Sequence, residues 1–319
     1  MARMARANGS PRKEERLDNA LTLLFQTGVM FVIAFVGYTL VKTGKISLEG
    51  GRTIANILIY VSLPSLIVNG FLVERTPEKI AELGYATLAA ALGLVLCIGL
   101  SRLVCGKDPI ANFAGSFCNP GFFGIALITA ILGEGATFYL TPLIAMINMG
   151  QWTYGVSLMT GQRGKISAKR VFTAPFMVAI LVGLFFFFTG LPMPRLAAAV
   201  LKQCGNLNTP LAMFSVGIYL SQCDLKKMFA RPVLYRISLA RLIVIPAAVL
   251  LVMTLLRFIP QDIRLTMLIA LATPVGSNIA VYAQLYDGDY AYSVQTVVIS
   301  TLLSIVTMPL FVMAAGALW

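Results

Sequence analysis

Apolar residues in this chain gather into long runs separated by short polar intervals. Each run is close to 20 residues. A helix rises about 1.5 Å per residue, so such a run spans about 30 Å, the thickness of a bilayer's hydrocarbon core. The pattern predicts ten membrane helices, over 20–41, 53–73, 84–104, 112–131, 137–159, 171–190, 196–221, 232–256, 264–286 and 290–316. Alternating ten-residue strands do not recur, which excludes a β-barrel. The seventh run is the least regular, with Lys202 and Asn206 inside it, and the fourth and ninth contain helix breakers.

Composition agrees with the pattern. Of the 319 residues, 58% are hydrophobic and 12% charged, against about 25% charged in a soluble domain. The expected fold class is therefore an all-α integral membrane protein. Residues 1–19 read as a polar, basic tail. The run after it, Leu21 to Val41, is too long for a signal peptide's apolar core.

The net charge of +12 changes the picture only through its placement. The basic residues fall mostly between apolar runs and show no nucleic-acid-binding pattern. The five cysteines are scattered without a CxxC spacing, and there is no His. Neither a disulfide framework, a zinc site nor haem is indicated. No HExxH and no paired intramembrane aspartates occur, so an enzyme is not expected.

The interval Gly161 to Arg170, GQRGKISAKR, divides the chain nearly in half. The halves share landmarks. Leu63-Pro64-Ser65-Leu66 parallels Thr209-Pro210-Leu211-Ala212, and Asn119-Pro120 parallels Thr273-Pro274. Gly133-Glu134-Gly135 follows its proline at the distance at which Asp287-Gly288-Asp289 follows the other. The organisation expected is a tail (1–19), a first five-helix repeat (20–160), a cytoplasmic basic loop (161–170) and a second five-helix repeat (171–319). Five helices per half is an odd number, so the repeat is inverted.

Loop charge sets the orientation. One side holds Lys42, Lys45, Arg52, Arg102, Lys107, Arg163, Lys165, Lys169, Arg170, Lys226, Lys227, Arg231 and Arg236. The other holds Arg75, Lys79, Arg195, Lys202, Arg257 and Arg264. The excess places the central loop in the cytoplasm and both termini outside, although the tail's own basic residues oppose that assignment.

The fourth and ninth runs carry the candidate chemistry. Proline removes a helical hydrogen bond and pushes the preceding residue out of the α region. Asn and Thr are good N-caps, and proline suits the first helical position. Asn119-Pro120 and Thr273-Pro274 therefore read as stops followed by restarts, with Gly121 and Gly276 leaving the backbone open to close approach. Two half-helix N-termini at mid-membrane present free amides and positive dipole ends, which attract a carboxylate.

These runs, NPGFFGIALITAILGEGATFYL and ATPVGSNIAVYAQLYDGDYAYSVQTVVISTLLSIVTMP, resemble the auxin efflux carrier family. That family includes bacterial organic-acid carriers and the plant PIN proteins, with distant kinship to bile acid:sodium symporters. The resemblance covers residues 20–319. It implies ten helices in two inverted five-helix repeats. Helices 1, 2, 6 and 7 would form a scaffold that dimerises, and helices 3–5 and 8–10 a transport domain moving as an elevator. Helices 4 and 9 would cross at Pro120 and Pro274. Asn119 matches the family's substrate-side asparagine, and Ser277 and Asn278 are its candidates in the ninth helix. The long cytoplasmic loop of many plant members is absent, which favours a compact bacterial-type carrier.

Further polar residues complete the candidate set. Asn119 caps its half-helix, binds substrate or does both. Arg241 lies about 15 Å deeper than Arg231 by helical rise, and an intramembrane Arg is a functional hypothesis by default. It neutralises an anionic substrate, snorkels, or pairs with a carbonyl or carboxylate. Lys202 is expected to snorkel, Gln284 to bond locally, and Asn69, Asn148 and Gln151 to line the cavity or, as the better-supported alternative, tie helices together. The acidic residues all fall in the tail, in loops or at span ends.

The function expected is secondary transport of a small organic anion, a carboxylate such as malate or malonate, across the inner membrane by a homodimer. The candidate substrate-binding residues are Asn119, Pro120, Gly121, Thr273, Pro274, Gly276, Ser277, Asn278 and Arg241. No cofactor is expected. Sodium coupling of the bile-acid type stays open, because a sodium site needs only oxygen ligands, and so does a transport-inactive receptor.

Overall fold

The computed structural model describes residues 13–161 and 172–319. Most of the expected tail and nearly all of the central basic loop lie outside the described residues. The described residues are helical and form no strand; one isolated antiparallel bridge joins Cys118 to Val275.

The first helix, α1 (Lys13–Lys42), starts inside the stretch expected to be a tail. The reason is local. Lys13-Glu14-Glu15-Arg16-Leu17 consists of strong helix formers, so the helix extends beyond its apolar part. Hydropathy marks where an apolar run ends, and propensity decides where the helix ends.

Then follow α2 (Glu49–Phe71) and α3 (Pro77–Cys105). The fourth expected span is two helices, α4 (Pro109–Ser116) and α5 (Pro120–Leu132). Next, α6 (Thr137–Gly150) runs on through a π turn into Val156–Thr160. After α7 (Pro175–Thr189), the seventh span divides into α8 (Arg195–Asn206) and α9 (Asn208–Gln222). A short α10 (Leu225–Phe229) precedes α11 (Pro232–Leu255). The ninth span is α12 (Gln261–Leu271) and α13 (Asn278–Leu285), and α14 (Tyr290–Leu318) closes the chain. Among the described residues five helices are long and apolar enough to cross a membrane: the Leu21–Lys42 part of α1, and α2, α3, α11 and α14.

Capping fixes several starts. The side chains of Thr76, Asp108 and Asp289 accept the backbone amides of Lys79, Ala111 and Tyr292. Pro77 and Pro109 follow their caps directly, where a missing N–H costs nothing.

Burial separates the helices by role. From Ile110 to Ser116 in α4 and from Ile263 to Leu271 in α12 every residue is buried. By contrast Phe25, Val32 and Phe35 of α1 are exposed, as are Leu181, Phe185 and Phe188 of α7. In a protein read as membrane-embedded, these exposed faces meet lipid. The interrupted helices are sheathed by the others, which is where non-helical backbone is tolerated at membrane depth. At the α1–α9 contact two glycines let backbones touch. A methyl on Gly217 would lie 1.9 Å from the Ala34 carbonyl oxygen, and one on Gly37 would lie 2.8 Å from that of Phe214.

Candidate functional site: two interrupted helices bonded at their breaks

The two breaks lie against each other. Residues 117–119 leave α4, residues 272–277 leave α12, and Cys118 and Val275 form the antiparallel bridge. The Gly276 amide donates to the Phe117 carbonyl at 2.9 Å. The Asn119 amide donates to Thr273 Oγ1 at 3.1 Å, and Thr273 Oγ1 donates to the Ala270 carbonyl at 2.6 Å. Ser300 Oγ of α14 accepts the Val275 amide at 3.1 Å. The amides of Asn119, Val275 and Gly276 thus find protein partners within the breaks. The close approach depends on Gly276, where a methyl would meet the Cys118 carbonyl oxygen at 2.9 Å.

The first restart follows the sequence expectation and the second does not. Pro120 opens α5, whose first turn is a π turn, Pro120–Gly124. Pro274 does not open α13, which begins at Asn278. The bridge at Val275 and its bond to Ser300 keep the chain out of the helix there, so the break is longer than the Thr-Pro pair suggests. Side-chain capping is absent as well. Asn119 makes no side-chain cap bond, and its carbonyl instead accepts the amides of Phe123 and Gly124. Thr273 serves the end of α12 and the Asn119 amide rather than the start of α13.

Below the breaks is a cavity of about 30 Å³. It is lined by Cys118, Asn119, Pro120, Gly121 and Phe122 from the first break, by Gly276, Ser277 and Asn278 from the second, by Ile144, Ile147, Asn148 and Gln151, and by Leu63 of α2. Gly121, Phe122, Ser277 and Asn278 stand in the first turns of two helices, whose first amides have no intrahelical acceptor. Dipole and amides make such a pair of termini favourable to an anion. Asn278 Nδ2 donates to Gln151 Oε1 at 3.0 Å, which fixes both amides on the cavity. Asn148 Nδ2 is turned to the Ile144 carbonyl at 2.8 Å. Among the described residues no cluster of His, Cys, Asp and Glu could hold a metal.

Of the sequence candidates, Asn119, Pro120, Gly121, Gly276, Ser277 and Asn278 come together on this cavity. Thr273 is one hydrogen bond behind it, and Pro274 lies within the longer break. Arg241 is not among the lining residues. It is fully buried and donates to the carbonyls of Gly115, at 3.0 Å, and Leu271. Asn148 and Gln151, for which lining the cavity is the second alternative beside tying helices, do line it. Gln284 is exposed, and Lys202 pairs with Glu134 at 3.2 Å, both exposed.

Several participants escaped the sequence reading, among them the lining residues Cys118, Phe122, Ile144 and Ile147. Leu63 lines the cavity, Ser300 anchors the second break, and Asn208 Nδ2 donates to the Gly121 carbonyl at 2.6 Å. Asn208 was within reach of sequence reasoning, since it directly precedes the repeat landmark Thr209-Pro210.

Comparison with known proteins adds an independent observation. Residues 28–312 match the family model described as "Membrane transport protein". The chain is 25% identical over 308 residues to a Rhizobium meliloti protein named "Putative malonate transporter", covering 90% of this chain and 95% of that one. It is 28% identical over 295 residues to a Methanothermobacter thermautotrophicus protein named "Uncharacterized transporter", covering 88% and 95%.

Proposed function

Because the chain belongs to the membrane transport protein family, we propose that it is a secondary transporter of small organic anions whose carboxylate docks at the two breaks. The observation that carries this reading is the single cavity shared by two half-helix N-termini and the amides of Asn119, Asn278 and Gln151. The name of the Rhizobium relative supports a carboxylate such as malonate.

In this reading the ten spans form two inverted repeats crossing at Pro120 and Pro274. Helices α1, α2 and α7–α9 are the scaffold, and α3–α6 and α11–α14 the transport domain. The protein works as a homodimer in the inner membrane. A water molecule needs roughly 10–15 Å³, so a cavity of about 30 Å³ is too small for a three-carbon dicarboxylate. Loading therefore requires Leu63 and Asn208, the scaffold groups against Gly121, to withdraw. Elevator movement of the transport domain would supply that withdrawal and carry the loaded site across.

Flux of labelled malonate, malate and monocarboxylates into proteoliposomes tests this reading, with and without a sodium gradient. The expected result is saturable uptake of at least one carboxylate, abolished in Asn119→Ala/Pro120→Ala protein that still folds. Undiminished flux in that variant sinks the site, and absence of any carboxylate flux sinks the function. A flux that requires sodium selects the symport variant.

A further inference from the structure

Arg241 is fully buried, and the cavity does not use it. It sits in the π turn Ala240–Val244 of α11 and is 0% exposed. Its Nη1 donates to the Gly115 carbonyl at 3.0 Å and lies 3.6 Å from Cys97 Sγ. Its Nη2 donates to the Leu271 carbonyl, and its Nε has no partner. Among the described residues the ion pairs are Lys79–Glu82, Lys202–Glu134 and Lys227–Asp224, so no carboxylate balances this guanidinium.

The two carbonyls are at corresponding places. Gly115 lies in the last turn of α4 and Leu271 ends α12, each just upstream of a break. The cavity is lined by residues at or just downstream of the same breaks. A helix C-terminus carries roughly half a negative charge and an N-terminus roughly half a positive one. At an interrupted helix these opposite ends face each other and largely cancel. Two C-termini together carry about one negative charge, which one guanidinium balances. A neutral amide could satisfy the same carbonyls without the cost of burying an ion, so bonding alone does not account for an arginine here.

We propose that Arg241 is the electrostatic positioning residue of the site. It cancels the carbonyl ends of α4 and α12, so that the amide ends of α5 and α13 present a net positive charge to one carboxylate. It does this without touching the substrate. This inference rests on the carboxylate reading of the cavity and goes beyond it by naming the source of charge discrimination.

The test compares malonate with malonamide, its uncharged analogue of the same carbon skeleton, by titration calorimetry on purified full-length protein. Wild type is expected to prefer malonate by at least about tenfold. In Arg241→Gln the affinity for malonate should fall by about tenfold or more while that for malonamide barely moves, so the preference collapses. Arg241→Lys, which keeps the charge and loses the fork, should keep the preference within about threefold. A purely structural role predicts equal weakening for both ligands, and that result overturns the proposal. So does a folded Arg241→Gln protein that keeps its preference, or a wild type that has none. Where Arg241→Gln does not fold, Arg241→Lys decides, and loss of preference there overturns it. Wild type that binds neither ligand overturns the carboxylate reading itself, and this inference with it.

Discussion

At the scale of single residues the site depends on atoms that cannot move aside. At Gly276 an added methyl would meet two backbone carbonyl oxygens, that of Cys118 at 2.9 Å and that of Phe117 at 3.2 Å. Gly276→Ala is expected to cost about 1–3 kcal/mol by overpacking, read as a lowered melting temperature in detergent, with malonate binding lost. Asn278 is a different case. Its amide bonds Gln151 within the cavity wall, and Asn278→Leu leaves the Gln151 oxygen without that donor. The expected outcome is about a tenfold weaker malonate Kd with a small change in melting temperature, since one net hydrogen bond is worth roughly 0.5–1.5 kcal/mol. An unchanged Kd would remove Asn278 from the site.

At the scale of elements, irregular turns mark the helices that build the site. Among the described residues the π turns are Leu58–Ser62, Pro120–Gly124, Gln151–Gly155 and Ala240–Val244. They precede Leu63, carry Gly121, carry Gln151 and carry Arg241 in turn. A π turn widens the helix locally and leaves backbone groups available, which is why such turns recur at functional sites. None of the four could be read from apolar periodicity, which one extra residue per turn shifts without breaking. The second break has its own dependence on a neighbouring element. Ser300 on α14 accepts the Val275 amide, and Ser300→Ala leaves that N–H buried and unpaired. The expected penalty is about 1–3 kcal/mol, visible as faster hydrogen exchange at Val275 and a lowered melting temperature. Unchanged exchange there would mean that the bridge to Cys118 holds the break without α14.

At the scale of the whole molecule, polar contacts among the described residues join α8 and α9 to the turn after α5, to α5 itself and to the start of α14. Lys202 pairs with Glu134, Asn208 donates to Gly121, and Tyr290 donates to Gln222 at 3.2 Å. They differ in weight because they differ in burial. The Lys202–Glu134 pair is exposed on both sides, so Lys202→Ala should change stability by less than about 1 kcal/mol. Asn208 is 1% exposed, and its loss leaves the Gly121 carbonyl without that donor. Asn208→Leu should therefore destabilise the closed arrangement by about 1–3 kcal/mol. Cys118 reports on it, being 2% exposed and on the cavity. Its maleimide labelling, resolved by mass spectrometry from that of Cys204 and Cys223, should quicken about tenfold in Asn208→Leu and slow with malonate present. An unaltered rate would show that Asn208 does not hold the cavity closed.

The sequence by itself determined the helical, membrane-embedded class, because burial in lipid demands apolar runs of fixed length and every other signal was subordinate to that demand. It also located both breaks, because Asn119-Pro120 and Thr273-Pro274 recur at one distance from an acidic, glycine-containing turn; proline alone would not have done so, since Pro142 and Pro309 lie inside continuous helices. Six of the nine candidate residues reach one cavity. Tertiary structure decided the rest. Whether Thr273 caps the helix after it or the one before it depended on Asn119, a residue 154 positions away. Where the second half-helix restarts depended on Cys118 and Ser300. Whether Arg241 faces a substrate or a pair of carbonyls depended on where α4 and α12 end in space. Each of these is a choice among partners for one polar group, and the partners are neighbours only once the chain has folded.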